Sequence, residues 1–505
     1  MSDLKAATAS TIKWNTIDRL SSQLVFAAVG IVLANRLGRE DFGLVGVLAI
    51  FQAFAIVFVD SGFGAALLRL KEATKEDYST VFWFNLFVSV SLYILLWFLT
   101  PGIAALFHGD ARLIPLSKVM FISFILNGLG IVQTNRMMKR MDVRPLAISN
   151  FIGLTLGGGL GVWLAISGAG AWALVWQTVA QAGIRTLCLW VVGGWFPSLI
   201  FSRQSFSRIW RVGLGVFSSS FLNTLFLHIY SFVIGVGGSV PQLGLYTQAD
   251  KWSKMGSAAL SQTMTSSFVP LLARVQDDRE TFGRYVLRIN RFTAFVTFPT
   301  MIGFAVLGAP LFHFLFGDKW NDAILLFQIL SIRGIPIVLV SVMTNYLLAL
   351  GYARSLVVVE VIKDTLTIAA ILATVWERDL TLLVWGQFWA SVVTWMLVLL
   401  LVSRKTGWSL PFMLRGNLPF LIAVAVAAVA ALVALAVEPF IFGDPSSPLP
   451  SLFSGPFSPN LHGLAGLIAG GVCGGGIYLL ILTLSGSHEP TEALGYLLKK
   501  RKNRE

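Results

Sequence analysis

Long apolar runs separated by short polar segments fill the chain from end to end. Stretches such as LVFAAVGIVLA (24–34) and LFVSVSLYILLWFL (86–99) contain no charged residue. A helix needs about 20 mostly apolar residues to cross a bilayer, so the pattern predicts an all-α integral membrane protein of about fourteen transmembrane helices. A β-barrel would instead show alternation in short segments. The predicted spans are residues 12–37, 42–67, 80–107, 113–135, 145–167, 170–193, 212–238, 243–272, 289–309, 321–350, 355–376, 381–403, 417–438 and 461–485.

Composition agrees with this assignment. Of the 505 residues, 56% are hydrophobic and 12% are charged, and the mean hydropathy is +0.76. We expect no cleavable signal peptide, because the first span is too long and no A-x-A-like site follows it. Cys188 and Cys473 both fall in or near spans, which gives no indication of a disulfide framework or a metal site.

The net charge of +13 would suggest nucleic-acid binding in a soluble protein. Here the positive-inside rule explains it better. With both termini placed in the cytoplasm, the cytoplasmic side carries 26 Lys and Arg and the periplasmic side carries 5. We therefore predict a multi-pass protein of the bacterial inner membrane, with both termini cytoplasmic and no nucleic-acid partner. The basic tail KKRKNRE would anchor the cytoplasmic end, or bind anionic lipid.

Away from their ends, the predicted spans contain seven cations. Such charges usually face a protein interior or a wet cavity, although long side chains can also snorkel to the interface from near a helix end. Five acidic residues lie in the same spans. Asp18 and Arg19 could partly neutralise each other, and so could Asp250 and Lys251. The cations are Arg19, Lys118, Arg185, Lys251, Lys254, Arg333 and Lys363; the acids are Asp18, Asp60, Asp250, Glu360 and Asp364.

Helical spacing gathers several of these charges into polar stripes on spans 1, 7 and 8. Ser and Thr alone would indicate helix–helix contacts, whereas charges on three helices favour a cavity. The predicted substrate-binding residues are Asp18, Arg19, Asn223, His228, Asp250, Lys251, Lys254 and Arg333. We predict no cofactor and no metal site. The sequence contains no P-loop, so we expect coupling to protons, to sodium or to neither, with Asp18, Asp250, Glu360 and His228 as candidates.

A weak internal repeat accompanies the stripes. TNRMMKRMDVR (134–144) and TNYLLALGYAR (344–354) begin and end alike, and GREDFGL (38–44) and GSVPQLGL (238–245) occupy matching turns. This predicts two six-helix lobes of the same topology with a substrate site between them, a common transporter arrangement. The lobes would be residues 1–200 and 201–410. Residues 411–505 would add two helices, a Pro/Ser-rich periplasmic loop and the basic tail.

Several stretches resemble the bacterial lipopolysaccharide and exopolysaccharide flippases of the Wzx type, in their colanic-acid-exporter-like branch. They are LLRLKEATKEDYSTVFWFN (67–85), FVPLLARVQDD (268–278) and FGDKWNDA (316–323), with KWNTIDRLSSQLV and LGREDFGLVGVL near the start. The resemblance covers about residues 10–410. These flippases belong to the multidrug/oligosaccharidyl-lipid/polysaccharide transporter superfamily.

The resemblance implies two six-helix lobes arranged in a V that opens to one membrane face at a time. It implies transport of undecaprenyl-diphosphate-linked oligosaccharide to the periplasmic leaflet, and so a lipid-linked oligosaccharide, membrane lipids and the polymerase or export machinery of the pathway as partners. Relatives carry cations in the cavity, and the lipid II flippase uses arginines in its first helix. Only Arg19 matches that pattern. Lys251 and Lys254 rest on spacing alone.

Two other functions stay open at this stage. A multidrug or cation antiporter of the same superfamily would favour acids in the cavity, whereas cations outnumber acids within these spans. A membrane glycan polymerase usually presents catalytic groups on a large periplasmic loop. The longest outer loop here (438–463) is rich in Pro and Ser and has no basic residue. We therefore expect a transporter and not an enzyme.

Overall fold

The computed structural model describes residues 2–415, 417–442 and 461–484, and within these ranges every regular element is a helix. Eleven of the helical segments are long and apolar enough to cross a membrane. This confirms the all-α membrane fold. Predicted spans 6, 8 and 11 coincide with helices that are not among the eleven, so the count of fourteen stays a prediction. Most of the Pro/Ser-rich loop, residues 443–460, and the basic tail lie outside the described residues.

The chain divides into two compact units, residues 1–247 and 248–505, called here the first and second units. The pseudo-symmetric lobes predicted at residues 1–200 and 201–410 remain a prediction. The first unit contains α1 (Ser2–Arg36), α2 (Arg39–Asp60), α3 (Phe63–Arg69), α4 (Lys75–Leu106), α5 (Leu113–Met120), α6 (Ile122–Lys139), α7 (Arg144–Ile166), α8 (Ala171–Gly193), α9 (Arg203–Gly237) and the start of α10 (Val240–Arg274).

The second unit contains the rest of α10 and eight further helices. Proline lies well inside three of these helices, at Pro270, Pro299 and Pro336, where it removes a backbone hydrogen bond and favours a bend. The helices are α11 (Arg279–Val306), α12 (Gly308–Phe316), α13 (Asn321–Ala349), α14 (Ala353–Thr374), α15 (Leu380–Thr406), α16 (Leu410–Arg415), α17 (Leu418–Phe442) and α18 (Leu461–Leu484).

Helix α4 is fixed at its start by a buried carboxylate. Thr74 and Asp77 form a capping box, in which each side chain accepts a hydrogen bond from the other's backbone N–H. The Asp77 side chain is fully buried, and its Oδ1 lies 2.6 Å from Nη2 of Arg208 on α9. One carboxylate therefore caps α4 and ties α9 to it.

The second predicted span is broken after Asp60. Ser61 and Gly62 adopt φ angles of 49° and 70°, in the left-handed region that favours glycine. A Cβ on Gly62 would lie 2.3 Å from the carbonyl oxygen of Gly213 on α9. Glycine is required here for both its conformation and its size, so the chain turns into α3 directly against α9.

Helices α17 and α18 pack on the second unit. The hydroxyl of Tyr478 donates to the carbonyl of Phe295 on α11 at 2.9 Å, and the two rings stack with centroids 6.1 Å apart. A Cβ on Gly470 would lie 2.6 Å from the side chain of Leu307. The last predicted span is thus bound to α11 and to its end, and Phe420 of α17 packs against Phe295 with ring centroids 6.2 Å apart.

A reciprocal contact joins the starts of α2 and α10 within the first unit. A Cβ on Gly43 would lie 1.9 Å from the carbonyl oxygen of Val240, and a Cβ on Gly244 would lie 1.9 Å from that of Arg39. These glycines belong to the paired segments GREDFGL and GSVPQLGL. Only glycine permits two backbones to approach so closely.

Gly43→Ala and Gly244→Ala should each destabilise the protein by about 1–3 kcal/mol or more, because the added methyl group meets backbone and cannot be accommodated by a rotamer change. Thermal unfolding of the detergent-purified variants measures the effect. Gly237→Ala is the matched control, since a Cβ there meets no atom within 4 Å. Equal losses in all three variants would show that the close approach is not the cause.

Candidate functional site

A polar cluster lies among α1, α7 and α8 in the first unit. One carboxylate oxygen of Asp18 accepts hydrogen bonds from Ser22 Oγ and from Asn150 Nδ2, both at 3.3 Å. Asp18 is also the charged group that interacts electrostatically with Arg185, whose side chain is half-buried. We call Asp18, Ser22, Asn150 and Arg185 the α1–α7–α8 polar cluster. In this cluster the negative charge of Asp18 on α1 faces the positive charge of Arg185 on α8.

A glycine stripe on α7 brings Arg185 to this position. Gly153, Gly157 and Gly161 recur every four residues and therefore share one helix face. A Cβ on Gly153 would lie 3.0 Å from the Cβ of Arg185, and a Cβ on Gly157 would lie 2.8 Å from the backbone nitrogen of Gln181. Helix α8 thus packs closely on α7, as small-residue stripes allow in membranes.

Arg19 differs from its neighbour in environment. Asp18 is half-buried, while Arg19 is exposed. The chain therefore pairs Asp18 with groups on α7 and α8, and leaves the Arg19 guanidinium on the accessible side of α1. The predicted shared face of α1 is supported at Asp18 and Ser22, which are one turn apart and hydrogen-bonded.

The two predicted residues on α9 lie in different environments. Asn223 is exposed, and His228 is half-buried. Phe217 and Phe221 of the same helix pack against Phe58 of α2, with ring centroids 5.2 and 5.8 Å apart. This phenylalanine contact fixes α9 on α2.

Three predicted residues, Asp250, Lys251 and Lys254, form a charged group on α10 in the second unit. Lys254 Nζ lies 2.6 Å from Asp250 Oδ2, one helical turn away, while Lys251 Nζ lies 5.3 Å from the centre of the Trp252 ring. The ion pair thus forms between Asp250 and Lys254. The other carboxylate oxygen of Asp250 is buried and has no hydrogen-bond partner.

Arg333 connects two helices of the second unit. Its Nε donates to Ser391 Oγ on α15 at 3.0 Å, and that hydroxyl donates to the carbonyl of Gln387 at 3.0 Å. The guanidinium is half-buried on α13. A single bond through Nε leaves the terminal nitrogens of the fork as further potential donors.

Sequence reasoning missed Asn150 and Ser391, and it placed Arg185 among the in-span cations without assigning it to the site. The signals were present in the sequence: an amide inside an apolar span, and a glycine stripe on the helix that precedes Arg185. Within the described parts of the chain, no three His, Cys, Asp or Glu side chains are grouped so that they could hold a metal ion.

Comparison with known proteins gives consistent matches. Residues 32–325, more than half of the chain, match the family described as polysaccharide biosynthesis protein. The teichuronic acid biosynthesis protein TuaB of Bacillus subtilis is 25% identical over 85% of this chain and 90% of its own length. The succinoglycan biosynthesis transport protein ExoT of Rhizobium meliloti is 24% identical over 94% and 92%, respectively.

Among solved structures, the fold is similar to that of the lipid II flippase MurJ in an inward closed conformation. The TM-score is 0.73, with 13% sequence identity, over 94% of this chain and 98% of that one. At this identity the likeness concerns the fold alone. The expected all-α membrane fold is therefore confirmed, while the roles of the individual side chains remain predictions.

Proposed function

Since this chain belongs to the polysaccharide biosynthesis protein family, we propose that it moves undecaprenyl-diphosphate-linked oligosaccharide repeat units across the bacterial inner membrane, from the cytoplasmic to the periplasmic leaflet. It is a multi-pass membrane transporter and not an enzyme of glycan assembly. The names of its relatives support this proposal: teichuronic acid and succinoglycan are both glycans, and ExoT is named as a transport protein.

The observation that carries the proposal is the set of cations within the helices. Lys251, Lys254 and Arg333 lie on predicted spans, and Lys254 is paired with Asp250 one helical turn away. An anionic diphosphate is strongly disfavoured in hydrocarbon. The attraction of fixed ammonium and guanidinium groups offsets the hydration energy that the diphosphate loses. A guanidinium can also bind phosphate through two hydrogen bonds. The exposed amide of Asn223 would supply a neutral hydrogen-bonding group for a sugar hydroxyl.

The mechanism that fits this chemistry is alternating access. The cations would hold the head group while the polyprenyl tail stays in the lipid, and a change between conformations open to either face would move the head group across. The charge asymmetry of the loops supports an orientation with both termini in the cytoplasm. Polymerase and export proteins of the same pathway would then receive the glycan at the periplasmic face.

Expression in a strain that lacks its own glycan flippase tests the proposal. We expect glycan display at the cell surface to be restored when the strain makes a repeat unit that this protein accepts. Resistance to cationic drugs is measured in parallel, because the multidrug antiporter predicts the opposite pair of results. Drug resistance without glycan display, across repeat units of several types, would overturn the proposed function.

A further inference from the structure

An acid lies at the bend that divides the second predicted span. Asp60 is the last residue of α2 and is half-buried, and the chain turns through Ser61 and Gly62 before α3 begins. The backbone N–H of Gly64 faces its carboxylate. A Cβ on Gly64 would lie 2.7 Å from Asp60 Oδ1 and 2.7 Å from Asn135 Nδ2. Glycine at position 64 therefore leaves the space in which these two side chains lie side by side.

Asn135 offers a hydrogen-bond acceptor at this place. Its Nδ2 donates to the carbonyl of Ile131 at 3.0 Å, one turn earlier on α6, and the residue is 9% exposed. Its Oδ1 would lie 3.1 Å from the same Cβ on Gly64. An amide oxygen accepts hydrogen bonds but carries no positive charge. A protonated Asp60 can donate to it, whereas an ionised Asp60 gains no neutralising charge from it.

The charged groups on the helices that pack against α2 have other partners or are exposed. The partnered cations are Lys139, which donates to the carbonyls of Leu67 and Leu70, Arg136, which stacks on Tyr78 and Trp195, Arg185, which faces Asp18, Lys118, which lies over Trp97, and Arg208, which pairs with Asp77. The exposed groups are Arg69, Lys75, Glu76, Arg140, Arg203 and Arg211.

The nearest part of α9 carries no titratable side chain against Asp60. Helix α9 meets the bend at Gly213, and His228 lies about four helical turns further along it. Within the residues that the structure describes, Asp60 forms no ion pair. Its carboxylate is therefore uncompensated by a cation.

The matching segment of the second unit uses a neutral group at this place. There, in TNYLLALGYAR, Nδ2 of Asn345 donates to Thr265 Oγ1 of α10 at 3.2 Å. Asn135 is the corresponding asparagine of TNRMMKRMDVR, and its neighbour from α2 is a carboxylate. A hydroxyl is sufficient to hold such an asparagine against a neighbouring helix, so packing does not explain why position 60 carries an acid.

We propose that Asp60 is a proton-binding site. A hydronium ion gives its proton to the carboxylate and becomes water, and the reverse step returns the proton. An uncompensated carboxylate is costly inside a membrane protein, and a proton removes its charge without any further ligand. The protonated form donates its O–H to Asn135 Oδ1, and the ionised form faces water and the Gly64 N–H. The acid lies where α2 joins α3, so proton uptake and release change the charge at the bend itself. If the proposed transport function holds, this site couples it to protons.

Infrared difference spectroscopy of the purified full-length protein in lipid vesicles tests the proposal without a substrate. Spectra are compared between mildly alkaline and mildly acidic solution. Asp60→Asn keeps the size of the side chain but cannot ionise. Asp142→Asn is the matched control, because Asp142 is an exposed acid between α6 and α7. We expect the C=O band of one protonated carboxyl group, present near neutral pH in the unmodified protein and in the control, to be lost in Asp60→Asn.

Asp60→Glu is the conservative variant, and it should retain the carboxyl band at a shifted position. This shift decides the question if Asp60→Asn fails to fold, which thermal unfolding of the same samples detects. Identical spectra for the unmodified protein and the Asp60 variants would overturn the proposal. So would loss of the band when sodium chloride replaces choline chloride at constant pH, because the site would then hold a metal ion. No glycan is present in these samples, so failure here is distinct from failure of the proposed function.

Discussion

Asp18→Ala is expected to lower the thermal stability of the protein and to reduce its transport severely. The substitution removes the charge that faces Arg185 and the acceptor for Ser22 and Asn150. An unpaired arginine within a membrane helix costs about 2.5–3.5 kcal/mol on insertion scales. The loss of stability in Asp18→Ala should therefore come mainly from the unpaired charge of Arg185.

A double-mutant cycle checks this cause. We expect Asp18→Asn and Arg185→Gln to be damaging one at a time, and the double variant to be more stable than the sum of the two losses predicts. Coupling of about 0.5–3 kcal/mol is typical of residues in contact. Arg36→Gln is the control, because Arg36 is an exposed cation at the end of the same helix. Strictly additive losses would show that Asp18 and Arg185 do not act as a pair.

Arg19→Ala and Lys251→Ala are expected to reduce transport while the protein level in the membrane is maintained. Arg19 is exposed, and Lys251 is half-buried beside Trp252. Losing one charge-assisted contact to an anion costs about 1.5–3 kcal/mol, which is roughly 10- to 150-fold in affinity. Arg19→Lys should retain more activity than Arg19→Ala, but not all, because lysine lacks the bidentate fork that fits phosphate.

Glycan display in a strain without its own flippase measures the effect, with membrane protein level determined in the same cells. Arg378→Ala is the control, since Arg378 is exposed between α14 and α15. If both alanine variants display as much glycan as this control, the cations do not bind the substrate head group. Normal transport with lowered stability would instead assign them a structural role.

The helices were predictable because their signal is local. The apolar run predicted for residues 321–350 becomes α13 (Asn321–Ala349), and the run predicted for 381–403 becomes α15 (Leu380–Thr406). Interruptions within a run were harder to predict. The second span bends at Ser61 and Gly62, and the fourth is divided between α5 and α6. An apolar run specifies that a segment enters the membrane, but short-range backbone geometry decides where it bends.

The candidate site was predictable only in part, because pairing between charges depends on which helices are neighbours. The polar stripe of α1 identified Asp18 and Ser22, which are hydrogen-bonded one turn apart. It did not indicate that Asn150 and Arg185 would meet them, since those residues lie far along the chain on α7 and α8. The Asp250–Lys254 pair lies within one helix, and its spacing of four residues is visible in the sequence.

The glycine contact between α2 and α10 has the form of an isologous interface. The carbonyl of Arg39 faces Gly244 and that of Val240 faces Gly43, and in each segment the carbonyl residue precedes the glycine by four positions. In a dimer of identical subunits, such a contact is made twice by one patch of surface. Here the two segments lie in one polypeptide. Each can differ in sequence from the other, but each must still leave room for the other's backbone. Substitution is therefore restricted at Gly43 and Gly244, and the predicted relation between GREDFGL and GSVPQLGL would require a glycine at both positions.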